Sequence, residues 1–146
     1  MILVMKENFS NSRDTFRLGR SKVETFINPA GFIEQWFSGP QKPESLIHGV
    51  EQLVKKAKKI NARSEAVLIL VDASSVPKID GTGQMAQARK VAVKAMKSAP
   101  YNKIAVYGNL AVQIMVNTLA LVAGRRDKVK VFADRTDALR WLKSRK

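Results

Sequence analysis

The chain has 146 residues, enough for one domain with its own hydrophobic core, and its 45% hydrophobic and 26% charged residues exclude a disordered chain. It has no cysteine, which excludes disulfides, thiolate metal sites and thiol nucleophiles and suits a reducing cytoplasm. Twenty-six Lys and Arg against 12 Asp and Glu leave a net charge of +14, an imbalance that favours anionic partners: nucleic acid, an acidic protein face or anionic lipid.

The opening MILVM is five apolar residues long, short of the roughly 7–15 that make a signal-peptide core. The longest near-apolar segment, 110–123, falls short of the ~18–20 residues that span a bilayer. The expectation is a cytoplasmic protein without a transmembrane segment. Residues 1–12 read as an N-terminal arm, flexible or adding a short strand, and residues 13–146 as a single domain.

From Thr15 to Ile27, β-branched and aromatic residues alternate loosely with polar ones, as in a strand. NPAG (28–31) is a turn, because Pro29 presets its dihedral and Gly31 suits its end, and FIEQWF (32–37) completes a hairpin. SGPQKP then breaks the strand. Between Pro43 and Ile60 the apolar residues Leu46, Val50, Leu53, Ala57 and Ile60 recur at helical steps, with Pro43 in the first turn and lysines near the end. AVLILV (66–71) is a continuous apolar run, the mark of a strand covered on both faces.

A second helix is predicted at 83–98, a strand at KIAVYG (103–108), and a helix at 110–123 closed by Gly124. KVKVFA (128–133) is a short strand. The last helix, 135–145, is capped by Asp134 and packs through Ala138, Leu139 and Leu142. The order β-β-α-β-α-β-α-β-α predicts an α/β fold. Its sheet is mixed and mostly parallel, of about five strands, with an N-terminal hairpin and four helices.

The stretch LILVDASSVPKIDGTG (68–83) leaves the apolar strand and sets Asp72, Ser74, Ser75, Asp80 and Thr82 beside Gly81 and Gly83. In open α/β sheets, ligands and partners meet loops at the carboxyl ends of strands. As a phosphate cradle, GTG offers free N–H groups at a helix start, yet both the Gly-Lys-Ser/Thr pattern and the three spaced glycines of dinucleotide folds are missing. As a hydrolytic site, Ser74 or Ser75 needs a base, and the one histidine, His48, reads as a solvated residue beside Glu51, Gln52 and Lys55. As architecture alone, Asp72 ends the strand while Asp80 or Thr82 caps the helix.

VDASSVPKIDGTG also resembles the signature of STAS domains, the family typified by the SpoIIAA-like anti-sigma-factor antagonists. Asp72 and Ser74 match the Asp-x-Ser end of the family's strand. Ile79, Asp80, Thr82 and Gly83 match the turn that opens its helix. The element order agrees from about residue 15 to residue 146, including KVFADRTDALRWL. The chain resembles in particular the branch with lipid-binding, CRAL-TRIO-like character. This implies a regulatory domain that docks a protein partner through Asp72, Ser74, Ser75, Asp80, Gly81, Thr82 and Gly83 and the helix that follows. The serine that antagonists phosphorylate falls at Gly81, which leaves Thr82 as the candidate phosphoacceptor.

On that helix Lys90, Lys94 and Lys97 share a face, which favours an acidic partner through electrostatic steering; the plain alternative is a solvated face. Helix 110–123 is apolar almost all round, where an outer helix needs a stripe only about 100° wide. Its surplus suggests a second covered face, with a homodimer through helix 110–123 the preferred expectation. The N-terminal arm and an apolar ligand are the alternatives, and for a lipid Arg125 and Arg126 would flank an anionic head group. The sequence thus predicts a non-catalytic domain with no cofactor and no metal site. The alternative is a carrier or sensor of a lipid or other anionic or apolar small molecule. Nonspecific nucleic-acid binding through net charge comes third, since no aromatic-rich basic groove accompanies the charge.

Overall fold

The computed structural model describes residues 13–77 and 85–144. The expected N-terminal arm, residues 1–12, lies outside the described residues.

Six strands form one sheet in the order of the sequence, one more than expected. The extra strand comes from residues that read as a single alternating segment. β1 (Asp14–Leu18) and β2 (Ser21–Ile27) pair antiparallel, with Leu18 opposite Ser21. The chain reverses at Gly19, whose φ of 61° needs no Cβ. β2 pairs antiparallel with β3 (Ile33–Ser38) through the NPAG turn. There Asn28 Oδ1 accepts from the Phe32 N–H at 2.9 Å and its Nδ2 donates to Glu34 at 2.9 Å.

From β3 onward all pairing is parallel: β3 to β4 (Leu68–Ser75), β4 to β5 (Lys103–Gly108) and β5 to β6 (Val129–Phe132). The crossovers are α1 (Pro43–Asn61), α2 (Ala86–Ser98) and α3 (Leu110–Ala123); α4 (Arg135–Lys143) closes the chain. Crossovers of one hand that step in one direction place their helices on one face. α1, α2 and α3 accordingly cover the core of Ile33, Ile69, Val71, Val106 and Val129. α4 lies on the opposite face, packing Ala138 and Leu142 on Leu70, Ala105 and Tyr107.

Helix ends follow their sequence signals. Pro43 opens α1, and the Ser45 hydroxyl accepts from the Lys42 N–H at 3.1 Å. Asn109 caps α3 on Val112, and Asp134 caps α4 on Asp137. Two readings change. β4 runs on through Asp72 to Ser75, so Asp72 does not end the strand. His48 is not a solvated side chain: its Nε2 lies 2.6 Å from Asp14 Oδ2 and its ring stacks on Phe16 at 4.5 Å. β1, hidden within a segment read as one strand, supplies both partners.

Candidate functional site

β4 delivers Asp72, Ser74 and Ser75 to the carboxyl edge of the sheet, and Ser74 and Ser75 are exposed. Asp72 Oδ1 accepts from the Ser74 N–H at 2.9 Å and from its hydroxyl, an Asx-type closure that fixes both side chains. Three further bonds anchor this edge. The Gly39 N–H donates to the Ser75 carbonyl at 3.2 Å, and the Val76 N–H to the Ala73 carbonyl at 3.2 Å. Asn109 Nδ2 donates to the Val76 carbonyl at 3.0 Å, tying the outgoing chain to the start of α3. Asp80, Gly81, Thr82 and Gly83 lie outside the described residues.

The arrangement bears on the chemistry this edge can do. Among the described strands the order never reverses, so the carboxyl edge lacks the reversal that opens a ligand crevice in doubly wound sheets. His48 is engaged at β1, three strands from β4, a separation of about 14 Å at ordinary strand spacing. Among the described residues no group of three His, Asp or Glu is placed to hold a metal.

α2 continues from this edge. Lys90, Lys94 and Lys97 are all exposed, as their spacing predicts, while Met85 and Ala88 are buried. With Arg89 they wall a shallow groove of about 660 Å³ between α2 and α3, floored by Val93, Leu119 and Val122. Arg125, half-buried, donates to the carbonyls of Gly124 and Lys97 and so joins α3 to α2; Arg126 is exposed.

Sequence reading missed a polar network on the α4 face. Glu34, buried to 5% exposure, accepts from Asn28, from Trp36 Nε1 at 3.0 Å, and from Arg135 at 3.1 and 3.2 Å. Burial pushes its carboxyl up, but the donated hydrogen bonds and the Arg135 charge outweigh burial and hold it below the usual range. Arg135 also donates to the Tyr107 hydroxyl at 3.3 Å, and the Tyr107 hydroxyl is pushed up, first by burial. A lone Glu in FIEQWF and an Arg in ADRTD carry no joint signal, because 101 residues separate them. The network clamps α4 to β3.

Beneath α1, α2 and α3 the packing leaves a cavity of about 160 Å³ with an almost wholly apolar lining, including Val54, Ile69, Ala92, Met96 and Val116. Gln35, bonded to Thr25 and the Gly49 carbonyl, stands at its wall.

No family model and no curated protein matches the chain. A solved structure does: an uncharacterized protein from the DUF3478 family with a SpoIIAA-like fold, from Shewanella loihica PV-4. It shares 16% identity and a TM-score of 0.50 over 90% of this chain and 92% of that one. At that identity the likeness speaks for the architecture, and it agrees with the element order read from the sequence. The chain has a SpoIIAA-like fold.

Proposed function

We propose that this domain is a non-catalytic interaction module that docks a regulatory protein partner at the carboxyl edge of β4 and along α2. The observation that carries it is the pre-shaped rim: Ser74 and Ser75 exposed, Asp72 locked to Ser74, and an exposed Lys90–Lys94–Lys97 row leading away on the next helix. A rigid polar rim beside a basic row suits recognition of an acidic surface, since the row steers encounter and the rim fixes register. Asp80 and Thr82 belong to the same reading through the STAS-like motif, with Thr82 the residue whose modification would regulate docking.

Affinity capture from the source cell tests this. Wild-type protein retains a specific partner, and Ser75→Glu, which sets bulk and a like charge against an acidic surface at an exposed position, releases it while the melting temperature stays the same. An unchanged partner list for Ser75→Glu counts against the rim.

A second reading rests on the cavity. A space of about 160 Å³ with an almost wholly apolar lining matches, in order of magnitude, cavities that stay dry and bind benzene. It is too small for a lipid acyl chain, so the ligand class is a small apolar molecule. Benzene that raises the melting temperature supports the reading, and Ala92→Leu, which fills the space, abolishes that shift.

A further inference from the structure

α3 carries more apolar surface than the core uses. Its inner side buries Val112, Val116, Leu119 and Ala120. Its outer side leaves Leu110 69%, Ile114 58%, Leu121 61% and Val122 62% exposed, the large apolar residues most open to solvent among those described. Residues 110, 114 and 121 recur at helical spacing and form one stripe. On the neighbouring helix α2, packed against α3, stand Lys90, Lys94 and Lys97, and Arg126 follows the end of α3, all exposed; no Asp or Glu occurs between Asp80 and Asp127. The pairing of aliphatic protrusions with cations on one face belongs to proteins that lie on membranes.

We propose that the α2–α3 face rests on an anionic lipid surface, with Leu110, Ile114 and Leu121 entering the headgroup boundary and the lysine row over it. Three observations select this occupant. A second copy facing the same surface would bring together two chains of net charge +14, and the residues between Asp80 and Asp127 hold no Asp or Glu to pair with the lysine row. A nucleic acid would leave the aliphatic stripe without a counterpart, because among the described residues the exposed large apolar side chains include no aromatic ring on which a base stacks. A peptide helix seated in the groove would cover Val93, Leu119 and Val122, yet Leu110, Ile114 and Leu121 lie outside the groove lining. A flat surface meets both sets. The inference shares the Lys90–Lys94–Lys97 row with the partner reading and departs from it at the β4 rim, which the partner needs and the lipid surface does not.

The test is co-sedimentation of the full chain with vesicles of phosphatidylcholine alone or with about one-third phosphatidylserine, at low and at high salt. Binding is expected only to the anionic vesicles and weakens with salt as screening shortens. Each Lys→Glu change at positions 90, 94 and 97 lowers the partition coefficient at least about fivefold, the equivalent of ~1 kcal/mol per cation. Ile114→Gln with Leu121→Gln lowers it at least tenfold and leaves the circular dichroism unchanged. Ser75→Glu, at the rim and off the α2–α3 face, leaves vesicle binding intact, which separates this inference from the partner reading.

Absence of binding to the anionic vesicles overturns the proposal. So does loss through the lysine changes alone with the Ile114/Leu121 variant unaffected, which would mean a bare polyanion site. A stable wild-type dimer that the Ile114/Leu121 variant splits would assign the stripe to a second copy and overturn it as well. An acidic amphipathic peptide that displaces the vesicles while Leu110 stays solvent-accessible would do the same.

Discussion

Removing the Arg135 side chain isolates the largest electrostatic commitment in the described structure. Arg135→Met leaves the Glu34 carboxylate, 6% exposed, with two neutral donors, Asn28 Nδ2 and Trp36 Nε1. Losing both charged hydrogen bonds at 3.1 and 3.2 Å from a fully buried pair would cost 3–5 kcal/mol. Arg135 is 45% exposed and partly screened, and the remaining donors still hold the carboxylate, which together lower the expected loss to about 2 kcal/mol. For a chain of this size that is a fall of about 8 °C in melting temperature, read by circular dichroism at neutral pH.

The pH dependence gives a second reading of the same bond. The folded pKa of Glu34 lies below its usual 4.5, so its contribution is complete above that value and is lost as pH falls through the folded pKa. In Arg135→Met the Arg135 charge and hydrogen bonds that lowered it are gone, so the carboxyl rises relative to the wild type. Acidification from pH 7 to 4 then narrows the stability gap between the variant and the wild type. Glu34→Met combined with Arg135→Met destabilises by at least ~1 kcal/mol less than the two single changes added together, because neither leaves a charge alone. Strict additivity, or a loss under 2 °C for Arg135→Met, refutes the clamp.

Lys103→Met removes the ammonium that bonds the Trp141 carbonyl at 2.9 Å and the Ser144 carbonyl at 2.7 Å; about 1.5 kcal/mol is lost, and hydrogen exchange quickens at the end of α4. Asn109→Ala removes both the α3 cap and the bond to Val76 at 3.0 Å, costing about 2 kcal/mol in urea unfolding and accelerating exchange at Val76. Gly39→Ala puts a Cβ 2.0 Å from the Arg20 carbonyl oxygen and yields little folded protein. Gly31→Ala has open space and a φ of +90°, so it folds and loses only about 1 kcal/mol of stability to left-handed strain. Equal soluble yields for these two variants would contradict the close approach at Gly39.

The fold was legible where a segment meets one environment. AVLILV is covered on both faces and reads as a buried strand, and the steps from Leu46 to Ile60 read as a helix because one side meets the sheet. β1 escaped because its burial alternates only between intermediate and exposed, leaving no apolar rhythm to separate it from β2. The helix spacing that singled out Lys90, Lys94 and Lys97 is a local property, and all three are exposed. Glu34, Tyr107, Arg135 and Lys103 were invisible for the opposite reason. Glu34 has local donors in Asn28 and Trp36, but the bonds that join these residues to one another or to the end of α4 span 28 to 101 residues, so no local pattern announces them. His48 belongs with them, since Asp14 lies 34 residues away.

A photo-crosslinking amino acid at position 75, compared with one at Arg63 just beyond α1, tests docking at the rim of β4 most directly. Irradiated in the source cell, the Ser75 probe is expected to yield one discrete adduct with another protein, and the Arg63 probe none. The same set of adducts from both positions, or no adduct at Ser75, would contradict it.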